Sequence, residues 1–169
     1  DEIYHSRNGA LTESQHVFVQ HGLMNVNKPF IKVFEVGFGT GLNALLTFQE
    51  ARKHKMQIWY TALETAPVAP ELLLPLKYAE ATGYPEDETL FQRMHDTPFN
   101  VAAELNEDVV LEKRLTDVRD FSDNPYRYHL VYFDAFAPRI QPELWTEEVF
   151  RNIMAAMAPN GVLVTYSAK

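Results

Sequence analysis

Glycines occupy alternate positions in Gly37-Phe38-Gly39-Thr40-Gly41, between an apolar run and a helical pattern. The run before them is apolar and β-branched enough to be a buried strand, Phe30 to Val36. After them Ala44, Leu45, Phe48 and Ala51 fall at helical spacing, with Gln49, Glu50, Arg52 and Lys53 between, which predicts a helix from Leu42 to Lys55. The glycines therefore sit on a strand-to-helix turn. Glycine takes positive φ freely and lets backbone approach a ligand closely. The helix that follows offers unpaired N–H groups and the positive end of its dipole. A nucleotide-like ligand suits such a turn.

The rest of the chain alternates in the same way. Ile58 to Leu63 reads as a second strand with Glu64 at its C-terminal end. Glu71 to Thr82 reads as one helix, with Leu72, Leu73, Leu76 and Ala79 as its apolar face, and Asp87 to His95 as another. Val101 to Leu105 and Val109 to Leu115 flank Asn106-Glu107-Asp108 as a β-hairpin. Tyr128 to Phe133 is nearly continuous in apolar residues, the mark of a strand buried on both faces. Pro142, a first-turn proline, opens a helix to about Met157. A turn, Ala158 to Gly161, leads into a last strand, Val162 to Tyr166. The alternation predicts an α/β fold with a doubly wound, mostly parallel sheet. Residues 1–169 form one domain in this reading, with 1–27 as an N-terminal arm packed on a core of 28–169 and Thr12 capping a short helix in the arm. The arm either closes over a ligand beside the glycine turn or is a structural extension.

Ligands of such sheets bind beyond the strand C-termini, at the point where strand order reverses. The glycine turn, Glu64, Asp117 and Asp134 all fall at such ends. Glu64 has the position of an acceptor for ribose hydroxyls. Asp117 either lies near an adenine amine or caps the short turn Val118 to Phe121. In the dinucleotide fingerprint the third glycine would come one place later than Gly41, where this chain has Leu42. Glu35, just before the turn, would repel a diphosphate and suit a cationic ligand.

With 46% hydrophobic and 22% charged residues the chain can bury a core. No apolar run approaches the roughly 20 residues of a membrane span, and no signal peptide is visible. The absence of Cys removes disulfides and thiolate metal sites, and the six His form no spaced ligand set, so no metal is assigned. A cytoplasmic location fits. The net charge of −8 argues against a broad nucleic-acid-binding face without excluding a local one.

The pattern E-x-G-x-G-x-G resembles the first motif of class I S-adenosylmethionine-dependent methyltransferases. Over most of its length the chain is similar to the methyltransferase domain of the bifunctional bacterial enzyme that completes 5-methylaminomethyl-2-thiouridine at the tRNA wobble position. The similarity rests on Tyr4-His5-Ser6 with Gly9, Leu11, Glu13 and Val17-Phe18; on Glu35 to Asn43; on Asp134-Ala135-Phe136-Ala137-Pro138 with Pro142-Glu143-Leu144-Trp145; and on Gly161 to Tyr166. It implies a Rossmann-like class I fold, S-adenosylmethionine as methyl donor, and an aminomethyl-uridine of tRNA as acceptor. It further implies cofactor contacts from Glu35, Gly37, Gly39, Gly41, Asn43, Glu64, Asp117 and Asp134. Substrate contacts would come from Tyr4, Phe136, Pro138 and Trp145, and Asp134 would take the proton of the attacking amine. Phe136 and Trp145 either stack on the uracil or pack in the core. Ala135 stands where the family usually has Gly. Nothing in the sequence corresponds to the family's flavin-dependent oxidase domain, so a stand-alone methyltransferase is expected, with a separate FAD-dependent oxidase as a conceivable partner. The two C-terminal edge strands of class I methyltransferases are also missing, which reads as truncation. An NAD-dependent oxidoreductase, an aminopropyl transferase and a non-catalytic S-adenosylmethionine-binding module are the alternatives; Leu42 speaks against the first.

Overall fold

The computed structural model describes residues 9–123, 125 and 127–166. Six strands, β1 (Phe30–Val36), β2 (Gln57–Glu64), β3 (Val101–Asn106), β4 (Val109–Leu115), β5 (Tyr128–Phe133) and β6 (Met157–Val164), form one sheet in the order β3-β4-β2-β1-β5-β6. All neighbours pair parallel except β3, which pairs antiparallel with β4. The chain runs outward from β1 through β2 to β4, then crosses back to β5 on the other side. Strand order thus reverses at β1, and a crevice opens beyond the strand C-termini there.

Both faces of the sheet are covered, which is why β1 and β5 read as near-continuous apolar runs. One face carries Ile31, Val33, Ile58, Tyr60, Leu111 and Tyr132, packed under α1 (Leu42–His54), α2 (Glu88–Asp96) and the N-terminal arm. The other carries Phe34, Val36, Leu63, Val131 and Phe133, packed under α3 (Glu147–Ala156).

The arm departs from expectation at its start. Residues 9–14 are already α-helical, so Thr12 lies inside a helix instead of capping one. The helix widens into a π-helix over Gln15–Gln20 and closes with a 3-10 turn, Leu23–Asn25. Phe18, Val19 and Leu23 are buried against the sheet, so the arm is packed on the body of the molecule.

Three further boundaries move. The expected helix from Glu71 to Thr82 is broken into Pro70–Leu73, a 3-10 turn at Leu74–Leu76, and Tyr78–Ala81, with Lys77 left-handed between them. Pro75 explains the break, because it has no N–H to donate and its ring crowds the preceding turn. The helix expected from Pro142 begins five residues later. Pro142 opens only a 3-10 turn, and Thr146 is the true cap, its Oγ1 accepting from the Val149 N–H of α3. The turn at Ala158 to Gly161 lies within β6, where the pairing with β5 jumps from Tyr128–Met157 to Leu130–Val162. The strand then ends at Val164, short of Tyr166.

Candidate active site

The glycine turn takes the left-handed backbone that its sequence allows. Gly37, Gly39 and Gly41 have φ of 88°, 52° and 77°. Behind Gly41 the molecule is full: a Cβ there would come within 3.1 Å of the Phe38 ring, 3.2 Å of His95 Nε2 and 3.3 Å of the Met94 methyl. A Cβ on Gly39 would meet nothing within 4 Å, and this residue lines a cavity of about 850 Å³. His95 Nε2 donates to the Thr40 carbonyl at 3.1 Å and fixes the turn from below; burial holds that imidazole's pKa low.

Glu64, at the end of β2, completes the turn. Its Oε2 accepts from Gly39 N–H and its Oε1 from the N–H groups of Thr65 and Ala66, each at 2.8 Å. Its carboxylate lines the cavity beside the open face of Gly39.

Asn43, in the first turn of α1, joins two carboxyl groups. Its Nδ2 donates to Glu35 Oε1 at 2.9 Å and to Asp134 Oδ2 at 2.8 Å. Glu35 is 1% exposed and takes a second hydrogen bond from Tyr60 O–H. Burial drives its carboxyl well above the carboxylate range, and nearby Asp134 pushes it further; the bonds from Asn43 and Tyr60 pull the other way. Glu35 is not in the cavity wall, whereas Asn43, which is bonded to it, is. Asn43 is itself 4% exposed, and its Oδ1 has no donor.

Asp134 follows β5. Its N–H continues the sheet by donating to the Val36 carbonyl at 3.1 Å, which sets the residue beside Gly37 with its side chain at the cavity. Burial pushes its carboxyl up to about 7, against the Asn43 bond and with help from Glu13. Asp117 does cap its turn: Oδ1 accepts from Arg119 N–H, and the carboxylate pairs with the Arg119 guanidinium at 2.7 Å, which lowers its pKa. It lines the cavity as well.

The substrate candidates separate. Phe136 is 62% exposed and forms part of the cavity wall. Trp145 packs edge-on against Phe133 at 5.0 Å and donates its N–H to the Phe136 carbonyl, so it supports the loop from behind. Neither Trp145 nor Pro138 is in the cavity wall. Tyr4 lies outside the described residues. Sequence reasoning assigned no site role to Glu13 of the arm or to Tyr166, whose O–H donates to the Ala135 carbonyl at 3.1 Å; both line the cavity. Among the described residues the charged side chains of the wall are Glu13, Glu64, Asp117, Asp134 and Glu143, with Arg119 the single cation. Such a wall accepts hydrogen bonds and cations and disfavours phosphates.

Residues 85–169 match the family model of S-adenosyl-L-methionine-dependent methyltransferases. Over 99% of its length the chain is 28% identical to the tRNA 5-methylaminomethyl-2-thiouridine biosynthesis bifunctional protein MnmC of Campylobacter fetus subsp. fetus, covering 28% of that protein. It is 29% identical, also over 99% of its length, to MnmC of Paraburkholderia xenovorans, covering 27%. The chain thus spans about a quarter of the length of these curated relatives. The crystal structure of MnmC2 from Aquifex aeolicus superposes with a TM-score of 0.71 at 25% identity, over 94% of this chain and 51% of that one. A putative S-adenosyl-L-methionine-dependent methyltransferase of Methanococcus maripaludis, at 10% identity and a TM-score of 0.53 over 99% of this chain and 60% of its own, shares the fold.

Proposed function

The chain belongs to the S-adenosyl-L-methionine-dependent methyltransferases and is of the MnmC type, and on that premise we propose that it methylates the primary amine of a 5-aminomethyl-uridine at the tRNA wobble position. The observation that carries this reading is Asp134, a carboxyl poised at about 7 in the wall of the cavity, next to the exposed ring of Phe136.

The residues fit the methyl donor. Asn43 Oδ1 is a buried acceptor in want of a donor, which an ammonium group supplies. The open face of Gly39 admits a ligand against the backbone, and Glu64 beside it can accept from ribose hydroxyls. When bound, S-adenosylmethionine supplies an electrophilic methyl group. The chain's own contribution is to position and deprotonate. An amine reaches a neutral-pH active site as ammonium and attacks only as the free base. A base is most effective with a pKa near the working pH, and Asp134 meets that condition. Phe136 offers a flat face for an unpaired base. A tRNA acceptor implies a cytoplasmic enzyme, and an FAD-dependent oxidase acting on the same nucleoside is a natural partner.

The test is to incubate tRNA carrying unmethylated aminomethyl-uridine with the protein and S-adenosylmethionine, then to digest it and weigh the nucleosides. The expected result is conversion to the methylaminomethyl nucleoside. Retained S-adenosylhomocysteine binding with no conversion would overturn the acceptor assignment.

A further inference from the structure

We propose that Glu13, carried on the N-terminal arm, is an acceptor-selecting residue: its carboxylate and that of Asp134 flank the position of the acceptor's ammonium group and make the cavity prefer a cationic amine over a neutral group of the same shape. The inference rests on the amine-methylation reading above and names the residue that enforces it.

Glu13, Asp134 and Tyr166 reach one cavity from three separate elements: the arm, the end of β5 and the segment after β6. They are close enough to act on one another electrostatically. Glu13 helps to raise Asp134, and Glu13 and Asp134 together help to raise Tyr166. Two carboxylates facing one space repel each other until a cation comes between them. No Lys, Arg or His among the described residues pairs with Glu13, whereas Asp117 in the same wall has Arg119. Asn43 holds Asp134 at the cavity wall through its Nδ2, and its buried Oδ1 is the acceptor assigned above to the methyl donor's ammonium group, which leaves Glu13 and Asp134 for the acceptor.

Glu13 is exposed at the cavity mouth, so its pull on a cation is partly screened. An exposed pair is worth up to about 1 kcal/mol, or roughly five-fold in affinity. Asp134 supplies the rest of the preference from its more buried position.

The experiment compares two probes, benzylamine and benzyl alcohol, on the protein loaded with S-adenosylhomocysteine, by calorimetry. The wild type should prefer the amine. Glu13→Gln, with circular dichroism confirming the fold, should cut that preference about five-fold while S-adenosylhomocysteine affinity stays within two-fold. Glu13→Asp should restore part of it. An undiminished preference in Glu13→Gln, or no preference in the wild type, overturns the proposal. A wild type that prefers the amine through Glu13 yet methylates no aminomethyl-uridine would leave Glu13 standing and remove the acceptor reading; the converse pair of results would do the opposite.

Discussion

In its proposed role as the base, Asp134 has to serve the fold and the chemistry at once, and the two demands conflict. Its carboxyl is raised from the ordinary 3.8 to about 7 by burial. A raised folded-state pKa means that the folded protein favours the protonated form. The contribution to stability is full below about pH 4 and is lost as pH rises through about 7. Above that, an ionised Asp134 is poorly solvated and lies near Glu13, at a cost. Asp134→Asn should therefore stabilise the protein at pH 8, by about 1–3 kcal/mol, and by progressively less toward pH 4. The same substitution removes the proposed base, so turnover should fall by roughly 10²–10⁴-fold. Wild-type activity should climb through about pH 7 as Asp134 ionises. The variant's deficit should shrink in alkaline buffer, where the amine loses its proton unaided. Thermal melts and initial rates across pH check both halves. Turnover at the wild-type level would remove Asp134 as the base.

The strand-turn-helix element built on the three glycines was legible because two periodicities meet there, and β1 spans the residues expected of it, Phe30–Val36. What the sequence did not reveal is that the glycines do different work. Gly41 faces Phe38, His95 and Met94, whereas Gly39 faces the cavity. Alanine at either position carries about 1–2 kcal/mol of left-handed strain. At Gly41 it also meets packed atoms, so Gly41→Ala should lose clearly more stability in urea than Gly39→Ala. Gly39→Ala should instead weaken S-adenosylhomocysteine binding through a methyl group in the ligand's space. Equal losses of stability would show that the packing behind Gly41 yields. The break within Pro70–Ala81 was legible too: Leu72, Leu73, Leu76 and Ala79 keep helical spacing, but Pro75 forbids continuity. Thr146-Glu147-Glu148 likewise marked the real start of α3 better than Pro142 did.

At the scale of the whole molecule, the unread part of the site is the part assembled over long separations. Nothing local marks Tyr60 as the partner of Glu35, since that contact follows from the pairing of β1 with β2. Glu13 and Tyr166 lie at opposite ends of the chain and meet only because the arm folds back over the crevice. The arm is tied to the site through the core. The Phe18 ring packs on Tyr132 at 5.1 Å, Tyr132 O–H lies 3.0 Å from Thr47 Oγ1, and Thr47 Oγ1 donates to the Asn43 carbonyl at 2.7 Å. Phe18 also lines the cavity. Loosening the arm should therefore cost ligand binding as well as stability. Leu105, buried on the edge strand β3 and absent from the cavity wall, is the control. Phe18→Ala and Leu105→Ala should each lose about 2–5 kcal/mol. In the wild type, S-adenosylhomocysteine at a hundred times its Kd should add about 2.7 kcal/mol. Leu105→Ala should keep that gain in full. Phe18→Ala should lose most of it, because without the ring the arm no longer walls the cavity. Equal gains in the two variants would make the arm a structural extension, and the site would then be complete on the sheet alone.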